Sequence, residues 1–241
     1  MKLLGQFLCF ASIVLMFPAC KKSSTTAPHA AGALNVTNAV VGGAQIFLTT
    51  NYNVISTTTS AVPANGSAYF SLIAGQVRVN LGVLAQAAVG NMPVAPAIPY
   101  YSNTFAVGDN TNYSLFLTGT SPQAVDNVLI SESYTPAYAD SICGVRFINL
   151  SPGSNSVSVD IKGNANGSEV VGLGYKAYSG FNQHPATREV SSYIFEFRDS
   201  ANGKLLTSYS MPTSMIPYFR NTTICLRGVP GAYGVIQNND F

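Results

Sequence analysis

One stretch of this sequence occurs twice, and the repeat constrains what the chain can fold into more than any other feature. Residues 211–222 read MPTSMIPYFRNT and residues 92–104 read MPVAPAIPYYSNT, so Met-Pro, a short spacer and Ile-Pro-Tyr-aromatic-x-Asn-Thr recur. The two copies lie about a hundred residues apart, which is the length of a domain and longer than the repeat of a solenoid. The sequence therefore predicts a tandem duplication.

Alternation of apolar and polar residues runs through both halves of the chain. The first half opens with residues 34–38 and 44–48, which read as a two-stranded hairpin around a Gly-Gly turn; the second opens with residues 145–150 and 157–161 around a Ser-Pro-Gly turn. Further stretches match in the same order, namely 76–81 with 193–198, 113–119 with 222–228, and 128–130 with 235–237. Glycine or proline interrupts almost every apolar run, and no long helical stripe occurs. The pattern predicts an all-β fold.

The expected boundary between the halves lies near residue 140, in a segment that contains a proline and lacks apolar alternation. We therefore expect one β-sandwich domain over residues 33–140 and a second over residues 141–241. Each half has about 100 residues, which suits a seven-stranded immunoglobulin-like sandwich. The alternative is a single two-sheet domain of about 200 residues, because all-β folds reach that size.

The amino-terminal segment has the features of an export signal. Lys2 gives it a positive start, residues 7–17 form an apolar run, and the small Ala19 precedes Cys20. The segment resembles a bacterial lipoprotein signal, which would span residues 1–19 and leave Cys20 to carry the lipid. A permanent membrane helix and an ordinary secretory signal are the alternatives, but the run is shorter than the roughly 20 residues that cross a bilayer. Residues 20–32 are small, polar and turn-forming, and predict a flexible tether.

The opening of the second half resembles a known family. Residues 145–152 read VRFINLSP and residues 157–161, after a short turn, read VSVDI. This is similar to the start of the family catalogued as domain of unknown function 4397, whose members are often bacterial envelope lipoproteins. The first half matches weakly, since residues 34–39 lack the Arg, the Phe and the Ser-Pro. The resemblance implies a sandwich fold and an envelope address, and it brings no catalytic residues.

These features together predict the location and the partners. We expect the chain in the bacterial cell envelope, lipid-anchored to a membrane, with the outer membrane as the first expectation. Charged residues are only 9% of the chain, with a formal net charge of +2, and the basic ones are scattered among acids. Nucleic-acid binding needs a clustered basic face, so no nucleic-acid partner is expected. The first half, poor in charge, offers a neutral surface that would suit an envelope protein or a polysaccharide.

The sequence contains no catalytic or metal-binding constellation. His184 is the only histidine that follows the tether, and its Gln-His-Pro context predicts an exposed turn residue. Glu189, Glu196 and Asp199 read as solvated strand positions and not as a pair of carboxylates facing a cleft. Cys-x-x-Cys, His-x-His and EF-hand spacings are absent. The sequence therefore predicts a protein that is not an enzyme and that has no metal site and no cofactor.

Four aromatic residues beside the repeated prolines are the candidates for ligand binding: Tyr100, Tyr101, Tyr218 and Phe219. Exposed rings of this kind stack against sugars, which favours a carbohydrate-binding accessory protein. The alternative is structural, with proline setting the strand entry and tyrosine packing its ring while its hydroxyl bonds to the backbone. The leading functional hypothesis is a lipid-anchored envelope protein with a structural, adhesion or assembly role.

Two cysteines remain in the folded region, and both lie in the second half. An exported protein folds where disulfides persist, so Cys143 and Cys225 are candidates for a bridge. Strand parity argues against it, because Cys143 shares a face with Val145 and Phe147, whereas Cys225 faces away from Ile224. The alternative is two buried free thiols.

Overall fold

The computed structural model of the chain describes residues 31–50, 53–54, 61–83, 98–108, 110–132, 138 and 141–239. Regular structure in these residues is β-strand, apart from one 3-10 turn at Thr213–Met215. The predicted signal, Cys20 and the tether as far as residue 30 lie outside the described residues. The last two residues of the predicted tether, 31–32, already belong to the first strand.

The described residues of the first half form nine strands: β1 (Ala31–Asn38), β2 (Ile46–Thr50), β3 (Asn53–Val54), β4 (Ala61–Val62), β5 (Gly66–Ile73), β6 (Gly75–Val83), β7 (Ile98–Val107), β8 (Asn112–Ser121) and β9 (Ala124–Glu132). Those of the second half form eight: β10 (Ile142–Asn149), β11 (Val157–Ile161), β12 (Val170–Leu173), β13 (Asn182–Pro185), β14 (Ser192–Asp199), β15 (Leu205–Pro212), β16 (Asn221–Val229) and β17 (Ala232–Asn239).

Each half folds into two sheets with matching strand order. The first half has the sheets β5-β1-β8-β9 and β3-β2-β6-β7, with β4 beside β2, and the second half has β13-β10-β16-β17 and β12-β11-β14-β15. In both halves the first strand runs parallel to the next-to-last strand, β1 with β8 and β10 with β16. This correspondence confirms the prediction of two tandem immunoglobulin-like sandwiches from an internal duplication. The second half has eight strands where the sequence predicted seven.

Alternation along the middle strands builds two separate cores. Val77 and Val79 of β6 point into the first core, and Phe195 and Phe197 of β14 point into the second. The ring of Phe147 on β10 meets Phe195 edge to face, with centroids 5.1 Å apart. Because successive side chains of a strand face opposite ways, the alternating apolar residues of each strand all lie on one face. Full burial of each such side chain stabilises the fold by about 1.5–3 kcal/mol.

The predicted opening hairpin is wrong in both halves. The order strand, turn, strand is as expected, but β1 pairs with β5 and β8, whereas β2 pairs with β3, β4 and β6. The turn after β1 therefore crosses from one sheet to the other, and the turn between β10 and β11 does the same. Alternation reports which residues share a face of a strand. It does not report which strand is the neighbour.

The repeated motif does not occupy equivalent places in the two halves. Residues 98–104 lie inside β7, the edge strand that corresponds to β15. Residues 216–220 lie after β15, in the connection to β16. Pro99 is accommodated because β7 is an edge strand and the register with β6 shifts beside it, between Leu81 and Gly82. The evidence for duplication is therefore the shared strand order and not the motif.

The two sandwiches pack against each other through one sheet of each. The outer face of β5-β1-β8-β9 meets the outer face of β13-β10-β16-β17, and a third cluster of buried apolar residues lies between them. Its members are Ala39, Phe116, Ile130, Ile148, Leu150, Cys225 and Ile236. We call this contact the domain interface. Because of it, most residues of β1, β8, β10 and β16 are buried on both faces of the strand.

Polar side chains close the domain interface around the apolar cluster. Asn35 Nδ2 donates to Asn238 Oδ1 at 2.9 Å, and Asn238 Nδ2 donates to Thr37 Oγ1 at 3.0 Å. Further along, Thr118 Oγ1 donates to the carbonyl oxygen of Leu150 at 2.6 Å. These groups are buried, so each unmade bond would leave a desolvated polar atom at a cost of about 1–3 kcal/mol. The bonds therefore set the register between the two domains.

A buried ion pair also crosses the domain interface. Arg146 Nη2 and Nη1 lie 2.7 Å and 3.2 Å from the two carboxylate oxygens of Glu132, and the two side chains are only 4% and 10% exposed. Arg146 Nε donates to Thr223 Oγ1 at 3.0 Å, and the guanidinium lies over the ring of Phe181 at 4.5 Å from its centroid. Removing one partner of such a pair costs about 3–5 kcal/mol, because it leaves an uncompensated buried charge.

The proposed bridge is absent: no disulfide joins Cys143 to Cys225, and both side chains are buried. Cys143 belongs to the core of the second domain, whereas Cys225 belongs to the cluster at the domain interface, on the opposite face of the same sheet. In the register of β10 with β16, Cys225 lies opposite Ile148, five residues from Cys143, or about 16 Å at the rise of a strand. A disulfide needs Cα atoms within about 7 Å.

Candidate functional site

The four candidate aromatic residues fall into two groups. Tyr100 and Tyr101 are 7% and 8% exposed, so the expected exposed platform in the first half is wrong. The hydroxyl of Tyr100 accepts a bond of 3.4 Å from the amide of Ala44, as the structural alternative predicted. Burial raises the pKa of the Tyr101 phenol, and a bond from Asn103 acts in the opposite direction. Both belong to the first core, because the register shift in β7 leaves Tyr100 as an extra residue between Pro99 and Tyr101 and so interrupts the alternation of faces.

Tyr218 and Phe219, in contrast, are 41% and 42% exposed. They lie in the connection between β15 and β16, together with Met215, which is 45% exposed. We call residues 213–220 the aromatic loop. It presents two rings and a thioether to solvent within five successive positions. Exposed apolar residues that occur singly are ordinary, but a contiguous group marks an interaction surface.

Hydrogen bonds hold the aromatic loop at both of its ends. Thr213 Oγ1 donates to the carbonyl oxygen of Val190 at 2.6 Å, and the amide of Phe219 donates to the carbonyl oxygen of Ile142 at 3.0 Å. Between these points, Ile216 is 3% exposed and packs in the core of the second domain. The loop therefore has a defined shape before any ligand arrives, which lowers the entropic cost of binding.

Phe219 has a left-handed backbone, with φ of +59°. Bulky side chains seldom adopt this region, and such a conformation costs about 1–3 kcal/mol, which the surrounding contacts must supply. Here the bonds of its own amide to Ile142 and of the Gly144 amide to the carbonyl of Arg220 hold it. Strained residues of this kind cluster at binding sites. No local sequence pattern indicates this strain, because it depends on how β16 docks on β10.

The aromatic loop lies at the end of the molecule where the chain enters the first sandwich. Asn35, near the start of β1, bonds to Asn238, which pairs with the start of β16. Ala39, just after β1, shares a cleft with Gly228, near the end of β16. The two strands therefore run the same way on either side of the domain interface. Ala31 and the aromatic loop, which precedes β16, lie at one end, which we call the entry end.

His184 is not the exposed turn residue that its context predicts. It lies in β13 and is 7% exposed, with its Nε2 3.1 Å from Glu169 Oε2. Burial by itself raises the pKa of Glu169, but the contacts with His184 and with Asn182, which donates at 3.1 Å, outweigh burial and hold it below its usual value. The ring of His184 packs on Tyr193, with centroids 5.2 Å apart. The histidine enters the core because Glu169 pairs with it there.

The register also places Cys143 opposite His184 in neighbouring antiparallel strands. A cysteine, a histidine and a glutamate near one another are the parts of a nucleophilic site. Cys143, however, is 0% exposed, and burial raises the pKa of its thiol to about 11. A thiol in such surroundings stays protonated and out of reach of a substrate, which is the property of a structural cysteine. Sequence patterns missed this grouping, because the three residues lie far apart along the chain.

A small cleft opens at the other end of the domain interface. Its volume is about 140 Å³, and it is lined by Ala39, Val41, Gly42 and Asn65 of the first domain and by Arg227, Gly228, Val229 and Ala232 of the second. Its one charged group is the guanidinium of Arg227, which packs closely on the backbone of Gly234. The cleft is too small for a drug-sized ligand, whose sites measure about 300–1,000 Å³.

Metal-ligating side chains and apolar helices bear on chemistry and membrane insertion. Among the residues that the structure describes, no three His, Cys, Asp or Glu side chains are grouped so that they could hold a metal ion. Over the same part of the chain, no helix is long and apolar enough to cross a membrane.

Comparisons with known proteins identify no family. No protein-family model matches the sequence, and no curated protein matches it. One similar structure comes from work on alpha-glucan recognition by family 41 carbohydrate-binding modules from streptococcal virulence factors, with 12% identity, 86% of this chain and 97% of that chain covered, and a TM-score of 0.27. Another is the tip fimbrial protein Mfa3 from Porphyromonas gingivalis with C-terminal truncation, with 10% identity, 88% and 99% covered, and a TM-score of 0.24. At such TM-scores neither similarity bears on the function of this chain.

Proposed function

We propose that this chain is a non-enzymatic, lipid-anchored protein of the bacterial cell envelope with a structural, adhesion or assembly role. The observation that carries the proposal is the domain interface, where a buried apolar cluster and the buried Arg146–Glu132 pair join two sandwiches into one body. Such a body suits the presentation of a surface. The grouping of Cys143 with His184 and Glu169 is buried, which argues against a reaction there.

The anchor is proposed from the sequence. The apolar run at residues 7–17 and Ala19 before Cys20 support lipid attachment at the cysteine, with the outer membrane as the expected membrane. The similarity of residues 145–161 to the domain of unknown function 4397 family supports the same address. An acyl chain on Cys20 would hold the folded domains at a membrane surface through the tether.

Replacement of the anchor cysteine tests the proposal. Metabolic labelling with a fatty acid should mark the wild type, which should sediment with membranes, and Cys20→Ala should lose the label and leave the membrane fraction. Cys9→Ala is the matched control, since Cys9 lies within the predicted signal, and it should behave as the wild type. Membrane association of Cys20→Ala, together with an unlabelled wild type, would falsify the anchor.

A second candidate function is carbohydrate binding, which the exposure of Tyr218 and Phe219 favours. Because Tyr100 and Tyr101 are buried, the candidate sugar-binding surface consists of the aromatic loop alone among the four predicted residues. A glycan array should then show binding that the double change Tyr218→Ala with Phe219→Ala abolishes. Tyr178→Ala is the control, since Tyr178 is an exposed ring outside the loop, at 48% exposure. An array without any bound glycan removes this candidate.

A further inference from the structure

Exposed apolar side chains from both domains gather at the entry end. Met215, Tyr218 and Phe219 of the aromatic loop are each more than two-fifths exposed, and Ile73 of the first domain is 69% exposed. Ile73 ends β5 and pairs with Ala31, so it lies directly beside the start of β1. Burying apolar surface of this kind is worth about 25 cal/mol per Å². In the single chain, the apolar surface of these four side chains is exposed to solvent.

Among the residues that the structure describes, the exposed charged side chains of the entry end include two arginines. Arg188 and Arg220 are exposed, and the turn that contains Arg188 contacts the aromatic loop through the bond of Thr213 to Val190. Glu189 is the exposed acid in the same turn. Aromatic and apolar side chains that are flanked by arginine form the composition that sits at a membrane–water boundary, where rings lie at headgroup depth and guanidinium groups meet lipid phosphates.

The path of the chain points the same way. Ten residues, 21–30, separate the proposed lipid carrier Cys20 from Ala31 at the start of β1. Even when fully extended, ten residues reach only about 36 Å. Any membrane that holds Cys20 therefore lies within about 36 Å of Ala31, which is at the entry end. In the second domain, by contrast, the described residues of the opposite end include the turns at 151–156 and 200–203, which are rich in Gly, Ser and Asn.

We infer that the entry end docks on the lipid surface that carries the anchor, with Met215, Tyr218, Phe219 and Ile73 in the interface and Arg188 and Arg220 at anionic headgroups. This inference rests on the proposed lipid anchor. It deepens that proposal, since it gives the two sandwiches a fixed orientation with the turn-rich end pointing away from the membrane. The strained, preformed loop then serves as a second contact beside the acyl chain, and membrane anchoring becomes stable when two such signals act together.

A single tryptophan tests the inference, because the chain contains none. Tyr218→Trp reports on the entry end, and Leu205→Trp, at an exposed position beside the opposite end, is the matched control. The lipidated full chain is placed in vesicles of phosphatidylethanolamine and phosphatidylglycerol, with and without brominated acyl chains. We expect the tryptophan fluorescence of the residue 218 reporter to shift to the blue and to be quenched about twofold by the brominated chains, because a ring at interfacial depth lies close to them. The fluorescence of the residue 205 reporter should not change.

The outcomes separate the inference from the anchor on which it rests. A chain that mass spectrometry finds lipidated at Cys20, but whose two reporters are quenched equally, overturns the docking and leaves the anchor standing. A chain without lipid at Cys20 overturns the proposed anchor. Mixing that chain with the same vesicles then tests the docking by itself. A residue 218 reporter that responds to a polysaccharide and not to vesicles also overturns the docking, and makes the aromatic loop a sugar platform.

Discussion

The two sides of the domain interface are related by an approximate two-fold symmetry. Asn35 and Arg146 occupy matching positions in the first strand of each half, as the registers of β1 with β8 and of β10 with β16 show. Each reaches the last strand of the other half, Asn35 at Asn238 on β17 and Arg146 at Glu132 on β9. Reciprocal contact of this kind is the arrangement of a symmetric dimer. Here it occurs within one chain.

The chemistry of the two sides differs although the geometry corresponds. One side uses a neutral amide pair, and the other uses a buried ion pair. Thr118 bonds to the carbonyl of Leu150 on one side, whereas the matching place on the other side is the cleft beside Arg227. The duplicated halves therefore kept their strand order while their contacts diverged, because many different side-chain pairs can fill the space between two packed sheets.

The largest expected effect comes from Arg146→Ala. The change leaves the Glu132 carboxylate buried without its partner, so the free energy of unfolding should fall by about 3–5 kcal/mol. The matched change Asn35→Ala removes only neutral hydrogen bonds and should cost about 1–2 kcal/mol. Urea denaturation of both variants measures the difference.

A double substitution tests whether the buried charges cause this loss of stability. Arg146→Met together with Glu132→Leu replaces the ion pair with apolar side chains and should recover most of the lost stability, because neither charge then remains buried. Equal losses for Arg146→Ala and Asn35→Ala would show that the two sides of the interface are energetically alike, contrary to their structures.

The next effect concerns Gly119 and Gly228, which lie at matching positions before the last strand of each half. Their φ values are +134° and +90°, and an added Cβ would lie 2.1 Å from the carbonyl oxygen of Ala124 or Ala232. Alanine at either position should lower the free energy of unfolding by about 2–3 kcal/mol. Gly163→Ala, at φ of +94° but with open space around it, should cost about 1 kcal/mol. If thermal unfolding shows no loss of stability for alanine at one of these two positions, the two halves are not equivalent there.

A smaller effect is confined to the second half, where Glu169 pairs with His184 in the core. The pKa of Glu169 is lowered from its ordinary value of 4.5, so its contribution to stability is present above that pH and is lost as the pH falls below it. Glu169→Gln should therefore cost about 1.5 kcal/mol at pH 7, where a charged hydrogen bond is lost. The difference in the free energy of unfolding between the variant and the wild type should shrink as acid protonates the carboxylate. Chemical denaturation at pH 7 and pH 3.5 checks this, and a constant gap at both values would contradict it.

The smallest effect is a labelling pattern. Cys143 and Cys225 are buried on opposite faces of one sheet, so neither should react with iodoacetamide in the native protein and both should react after unfolding without reductant. Intact-mass spectrometry counts the added groups. A chain whose mass is lower by two hydrogens, with neither cysteine labelled after unfolding, would show that the two cysteines form a disulfide.

Alternation along the chain was enough to locate most strands and to match the halves. The stretches 76–81 and 193–198 became β6 and β14, and 113–119 and 222–228 became β8 and β16, at equivalent places in their sheets. Strand period is a local property of the backbone, so it is visible in sequence. The motif that suggested the duplication was a weaker guide, because its copies lie in a strand and in a loop.

The all-β fold and its division into two related halves could be predicted from the sequence, because both follow from local alternation and turn residues. Tertiary structure decided which residues are hidden. Asn35 and Arg146 are polar residues of alternating strands, yet the domain interface covers them. Tyr100 is buried whereas Tyr218 is exposed, although both belong to the same short motif. Burial depends on what packs against a strand from elsewhere in the chain, and no local pattern carries that information.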